Sequence, residues 1–352
     1  MQRAESREQR AESRERYSNL EILRIITMLM IVAHHFAVHG GFDFSTNSIT
    51  LNRLWIQLIA LGGSLGNDIF VMITGYFLVT SSGVKIRKVF YLWSEIFFYS
   101  VVIFWLFNLS GARSFSIKEA VRNFMPATRN VWWFASTYFV LYLIHPYINV
   151  ILQNLKHEDY KKFLMAILVY WSIIPTFLLS NFNGSNLVDF ICLYSIAGYL
   201  RLWASNFGGK KYILYGISFA ALNYLSAIGL DILGIKFPLA GKNAMYFYNM
   251  MRPFTILSAL CLLIGFRKLR IEYCRLINLI ASATFGVYLI HEHNFVRPFL
   301  WKSIFMNYSF QDNPYLIPYS IAVILVVYVT CTIIELLRIK IFSVCVRVMA
   351  LR

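Results

Sequence analysis

A chain of 352 residues that is 58% hydrophobic, 17% aromatic and only 14% charged is not a soluble globular protein. Its formal net charge of +16 does not point to nucleic acid, because the basic residues gather at the ends of apolar runs, as they do in membrane-inserted chains. These features predict an all-α polytopic membrane protein embedded in the lipid bilayer, with about ten transmembrane helices and no nucleic-acid partner.

The first nineteen residues are of a different kind. QRAESRE occurs twice in tandem, at Gln2 to Glu8 and Gln9 to Glu15, giving a charged tail that buries too little apolar surface to fold alone. Residues 1–19 are expected to form a cytosolic tail. No small-residue cleavage site follows the next apolar run, and that run is longer than a signal-peptide core, so it reads as a retained helix.

That run, Glu21 to Gly40, is EILRIITMLMIVAHHFAVHG. Its main polar interruptions are Arg24, His34, His35 and His39, and such groups are expensive in a membrane helix, which marks them as candidates for function. Positions eleven apart differ by about 20° around a helix and about 16 Å along it, so Arg24 and His35 share one face. His39 lies one turn further on nearly the same face, whereas His34 is rotated by about 80°. A structural reading competes: Glu21 is placed to pair with Arg24, a shallow arginine also reaches headgroups, and His35 and His39 are able to wet the far interface.

Further apolar runs of spanning length follow near Leu54 to Val79, Phe90 to Leu109, Trp132 to Leu152, Phe163 to Ser180 and Leu187 to Ser205. Four more lie near Tyr212 to Leu233, Tyr248 to Phe266, Ile277 to Ile304 and Tyr315 to Leu337. Basic clusters at the tail, Lys85 to Lys88, Lys156 to Lys162, Arg201 to Lys211, Arg267 to Arg275 and Arg338 to Arg352 fall on one side of this arrangement. The positive-inside rule makes that side cytosolic, with both termini inside a multi-pass protein of the cell membrane. The loop 110–130, with Arg113, Lys118, Arg122 and Arg129, is the exception on the other side. Residues 20–340 then form one transmembrane domain, and 341–352 a short basic cytosolic tail with no room for a second folded unit.

No Walker loop, dinucleotide fingerprint, His-Glu-x-x-His or nucleophile elbow appears. In HEH at His291 to His293 adjacent side chains point about 100° apart, which argues against a shared ion, so no metal is expected. Five cysteines, with no Cys-x-x-Cys pair and three inside apolar runs, give no disulfide framework. In the second span, LGGSLGNDIFVMITGYFL, the glycines allow close helix contact. Asp68 in the same span is an intramembrane carboxylate that must be paired, protonated or wet, and is able to hold a histidine or arginine of the first helix.

The Arg-x10-His helix at Arg24 and His35, GNDIFVMITGYF, the Trp-rich start VWWFASTYFVLYLIHPYIN with Tyr138, and FGVYLIH before Glu292 occur in this order across nearly the whole chain. Together they resemble the acyltransferase-3 family of integral membrane acyltransferases. Where that family often has Phe-x-x-x-Ser-Gly, this chain has Phe70, Thr74 and Gly75, which keeps the hydroxyl. The arginine pair that often follows is represented only by Lys85, Arg87 and Lys88.

The resemblance implies an enzyme, an O-acetyltransferase of the stand-alone type, moving an acetyl or other acyl group from cytosolic acetyl-coenzyme A to a hydroxyl of a cell-surface or lipid-linked carbohydrate. No cofactor is permanently bound in this reading, and it leaves room for a separate extracytoplasmic partner protein. His35 is the expected base, since a neutral imidazole is well matched to a hydroxyl proton at neutral pH. Arg24 is expected to hold a donor phosphate or polarise the thioester. Lys85, Arg87 and Lys88 would attract the phosphates of the donor, while Asp68, Tyr138, His291 and Glu292 are candidate binding residues. A rival of another class is a transporter or flippase that makes no covalent bond, and a purely structural scaffold is a third reading. No internal duplication between the two halves supports the transporter.

Overall fold

The computed structural model describes residues 18–43, 49–178 and 186–350, with side chains described to Val344. The tandem repeat lies outside the described residues. In chain order the helices are α1 (Asn19–His39), α2 (Leu51–Ala60), α3 (Gly62–Leu78), α4 (Ile86–Leu109), α5 (Ile117–Phe124), α6 (Trp133–Asn154), α7 (His157–Leu168) and α8 (Ile174–Phe177). They continue as α9 (Asn186–Leu202), α10 (Lys210–Lys236), α11 (Pro238–Lys242), α12 (Pro253–Arg267), α13 (Arg275–Ser282), α14 (Thr284–His291), α15 (Val296–Pro298) and α16 (Leu316–Ala350). Among the described residues there is no strand. The protein is an all-α polytopic membrane protein.

Among the described residues, seven helical stretches are long and apolar enough to cross a bilayer: 19–39, 51–78, 86–109, 133–154, 210–236, 238–267 and 316–344. The three other expected spans are helical but shorter or interrupted. The run near Phe163 becomes α7, a π-helical turn at Val169–Ile173 and α8, with Pro175 at the restart. The run near Leu187 is the 17-residue α9. The run near Ile277 breaks into α13, α14, α15 and a π-helical turn at Phe299–Ile304, with helix boundaries at Ala283 and, after His291, at Glu292. At the C-terminus the expected tail continues α16 as helix to Ala350.

α1 and α3 are packed side by side at the centre, with α9 and α12 against α3, and α2, α14 and α16 against α1. Glycine makes the α3 contacts possible. A Cβ on Gly75 would come within 2.7 Å of the Tyr194 carbonyl oxygen, and one on Gly66 within 2.6 Å of Ile31 Cγ1.

Polar ties lock this bundle where unpaired groups would be costly. Arg53 of α2 and Asp231 of α10, both almost wholly buried, form an ion pair at 2.5 Å, and Gln57 Nε2 donates to the second carboxylate oxygen at 2.7 Å. Glu335 of α16 accepts from Tyr99 of α4 at 2.6 Å and from two nitrogens of Arg338 at 2.6 and 2.7 Å. The Asn19 side chain caps α12 by donating to the carbonyls of Arg267 and Leu269.

Candidate active site

Arg24 and His35 stand at opposite ends of α1, and each lines its own cavity. The His35 cavity has a volume of about 460 Å³, and its wall includes His34, Ser64, Asn67, Trp133, Trp171, Asp189, Arg252 and Tyr288. The Arg24 cavity, about 380 Å³, is walled by Thr74, Ser81, Lys85, Lys88, Tyr138 and Tyr142 among others. Four residues singled out from the sequence, Arg24, Lys85, Lys88 and Tyr138, therefore meet in one place. Arg87 is not among them: it is exposed and donates to Tyr91 at 3.4 Å.

A plug of rings joins the two cavities. Tyr138 on one side and Tyr288 on the other are bridged by Phe134, whose ring centroid lies 6.2 Å from the first and 5.7 Å from the second. Phe285 bridges the same pair at 6.1 and 6.5 Å.

At the His35 end the chain turn after α14 brings three groups onto α1. His35 Nδ1 is 2.8 Å from His291 Nε2 and 3.4 Å from Glu292 Oε2. His39 Nε2 is also 3.4 Å from that oxygen, and the other Glu292 oxygen accepts from Arg297 at 2.7 Å. His291 Nδ1 lies 2.5 Å from the Val287 carbonyl, which only accepts, so the proton is assigned to Nδ1 and Nε2 is an acceptor. His35 must then donate from Nδ1, which leaves the lone pair on its Nε2. In this chain of partners a carbonyl on α14 sets which nitrogen of His35 is basic.

His291 is fully buried and stands behind His35, outside the cavity wall. Glu292, 7% exposed, bridges His35 and His39. His34, despite its rotation, also lines the cavity, because α1 packs so closely on Gly63 of α3. Its Nδ1 is 2.6 Å from the Ala60 carbonyl. Arg24 is engaged by Glu21 at 3.0 Å, the pairing foreseen as the structural alternative, and still lines its cavity. Asp68 is fully buried, and neither of its oxygens has a hydrogen-bond partner among the described residues, so it holds neither a histidine nor an arginine of α1.

A protein-family model described as an acyltransferase domain matches residues 17–335. The chain belongs to the acyltransferase-3 family. Neither a curated protein nor a solved structure matches it. As an acyltransferase-3 protein the chain is a membrane acyltransferase, and the match spans both cavities and all of the helices that line them.

Sequence reasoning missed Asp189, Arg252 and Trp171 in the wall around His35. Asp189 had a usable signal, since it is a carboxylate inside the apolar run Leu187 to Ser205, although nearer its end than Asp68 is in the second span. Arg252 also had one, since it falls inside the apolar run Tyr248 to Phe266, and Trp171 gave no signal because tryptophan is common in membrane spans.

Proposed function

We propose that this acyltransferase moves an acetyl group from acetyl-coenzyme A, bound from the cytosolic side in the Arg24 cavity, to a hydroxyl of a cell-surface or lipid-linked carbohydrate held in the His35 cavity. The observation that carries the reading is the His35–His291–Glu292 arrangement at the wall of a polar cavity, on the same helix as an arginine at a second, basic cavity.

The chemistry follows from the tautomers. His35 Nε2 takes the proton of the acceptor hydroxyl as its oxygen attacks the thioester carbonyl. The C–O bond forms, the tetrahedral intermediate expels the coenzyme A thiolate, and the proton on His35 passes to that sulfur. While His35 carries the proton, Glu292 at 3.4 Å balances its charge and His291 accepts its Nδ1–H. Arg297 keeps Glu292 in place at 2.7 Å. Lys85, Lys88 and Arg24 supply cations for the donor's phosphates. The pantetheine arm would then pass between Tyr138 and Tyr288 by displacing the rings of Phe134 and Phe285, bringing the thioester to His35.

The acceptor cavity supports a sugar. Trp133 and Trp171 offer flat faces to C–H groups, and Ser64, Asn67, Asn249 and Asp189 offer hydrogen-bonding groups to hydroxyls. A transporter reading leaves the match to an acyltransferase family over residues 17–335 unused. The test is deletion of the gene followed by measurement of ester-linked acetate on surface glycans, with complementation by the native chain and by His35→Ala. Restoration by the native chain alone supports the proposal; equal acetate in all strains overturns it.

A further inference from the structure

His35 and His39 stand one helical turn apart on α1, the i, i+4 spacing by which two imidazoles on one helix converge on a single metal ion. Glu292 approaches from the turn after α14. One ligand atom from each of these three residues lies within 4.8 Å of the others. The separations are informative: Glu292 Oε2 is 3.4 Å from His35 Nδ1 and 3.4 Å from His39 Nε2. The edge of a tetrahedron whose ligands sit about 2.0–2.1 Å from zinc is about 3.3 Å. That Glu292 oxygen is also buried and has no hydrogen-bond partner among the described residues. The surrounding groups suit a metal site. Arg297 fixes the other carboxylate oxygen at 2.7 Å, the kind of outer contact that orients a ligating carboxylate.

We propose that His35, His39 and Glu292 form a binding site for a divalent transition metal of the zinc class, and that its occupation switches acyl transfer off. This inference rests on the reading of His35 as the base. Ligation uses the Nδ1 lone pair. In the metal-free site Nδ1 carries the proton and Nε2 carries the basic lone pair. When a zinc–Nδ1 bond forms and a water leaves the ion, the imidazole proton moves from Nδ1 to Nε2. The nitrogen that accepted the hydroxyl proton then bears a hydrogen and no longer acts as a base. Soft and borderline ions bind such a nitrogen-rich set, whereas calcium and magnesium prefer oxygen ligands and would leave the enzyme active.

The experiment uses the full chain purified in detergent and stripped of metal, with zinc as the probe. Competition against a chromogenic chelator measures binding, and transfer from acetyl-coenzyme A to a glycan extract measures activity, each variant being normalised to its own metal-free rate. The native chain is expected to bind one zinc per chain and to lose transfer in step with occupancy, recovering with chelator. His39→Ala and Glu292→Gln should each weaken binding by about 100-fold or more, since even second-shell losses cost 10- to 100-fold. His39→Cys, which offers a thiolate in place of the imidazole, should restore it. Equal zinc affinity in the native chain, His39→Ala and Glu292→Gln would overturn the site. Zinc that binds at these residues and accelerates transfer would overturn the switch. If metal-free protein transfers no acyl group, the acyl-transfer reading and the switch that rests on it both fail, while the binding arm still decides whether the metal site exists.

Discussion

His291 Nε2 lies 2.8 Å from His35 Nδ1, although 256 positions separate the two residues in the chain. The contact converts a carbonyl on α14 into the device that sets which nitrogen of His35 is basic. On this basis His35→Ala should lower acetyl transfer by about 10² to 10⁴, the usual cost of losing a positioned general base. His291→Ala should cost less, since it removes the orientation and leaves the base. His34→Ala should be mild, because the Nδ1 of His34 is committed to the Ala60 carbonyl and the residue stands outside the His35–His291–Glu292 arrangement. Acetyl release in membranes containing equal amounts of each variant checks this order. A dead His34→Ala beside an active His35→Ala would reverse the assignment.

The basic cavity makes a different kind of prediction. Lys85→Ala and Lys88→Ala should raise the KM for acetyl-coenzyme A and reduce its sensitivity to salt, with kcat nearly unchanged, since both act on donor charge and not on the transferred group. Arg24→Lys should be worse than either, because lysine keeps the charge and loses the planar fork. Arg87→Ala, whose side chain is exposed away from the cavity, should leave the KM unaltered. Steady-state kinetics at two ionic strengths separates these outcomes.

Stability depends on a pair far from the chemistry. Removing one partner of a buried ion pair leaves the other charge uncompensated and costs about 3–5 kcal/mol. Asp231→Leu should therefore lower the thermal midpoint in detergent strongly, by removing the carboxylate that balances Arg53, whereas the double variant Arg53→Leu with Asp231→Leu should recover most of the loss. A double variant no more stable than the single one would show that the pair is not the tie between α2 and α10.

Orientation is tested by single cysteines in a background whose native cysteines are serine. Leu51→Cys, at the start of α2, and Ser82→Cys, between α3 and α4, are both exposed positions at opposite ends of the α2–α3 span. An impermeant thiol reagent added to intact cells should label the first and spare the second. Labelling of both from outside would sink the proposed cytosolic placement of the Lys85 loop.

The helices were legible in the sequence because apolar length alone defines a span. Interruptions were harder to see. The π-helical turn at Val169–Ile173 and the breaks at Ala283 and after His291 fall within runs whose apolar character continues across them, so composition does not mark them. In the site, Arg24 and His35 could be found because a single helix carries both, so their relation is a matter of rotation and rise. The partners of His35 come from 256 positions away, and no periodicity within α1 encodes them. His34 shows the limit of rotation arguments: a helix packed as closely as α1 is on α3 leaves cavity on more than one face.

The Glu335 tie has one more consequence. Gly286 lies against that carboxyl group so closely that a Cβ there would come within 2.5 Å of Glu335 Oε2, and that oxygen is already held by Tyr99 and Arg338. Through this one carboxylate α14 is keyed to α16 and α4. His291 is five residues further along the same helix, about 7.5 Å of rise away. A methyl group added at position 286 would act as a wedge at one end of a short rigid lever whose other end carries the partner of His35. Gly286→Ala should therefore disable acyl transfer while every group in both cavities remains chemically intact.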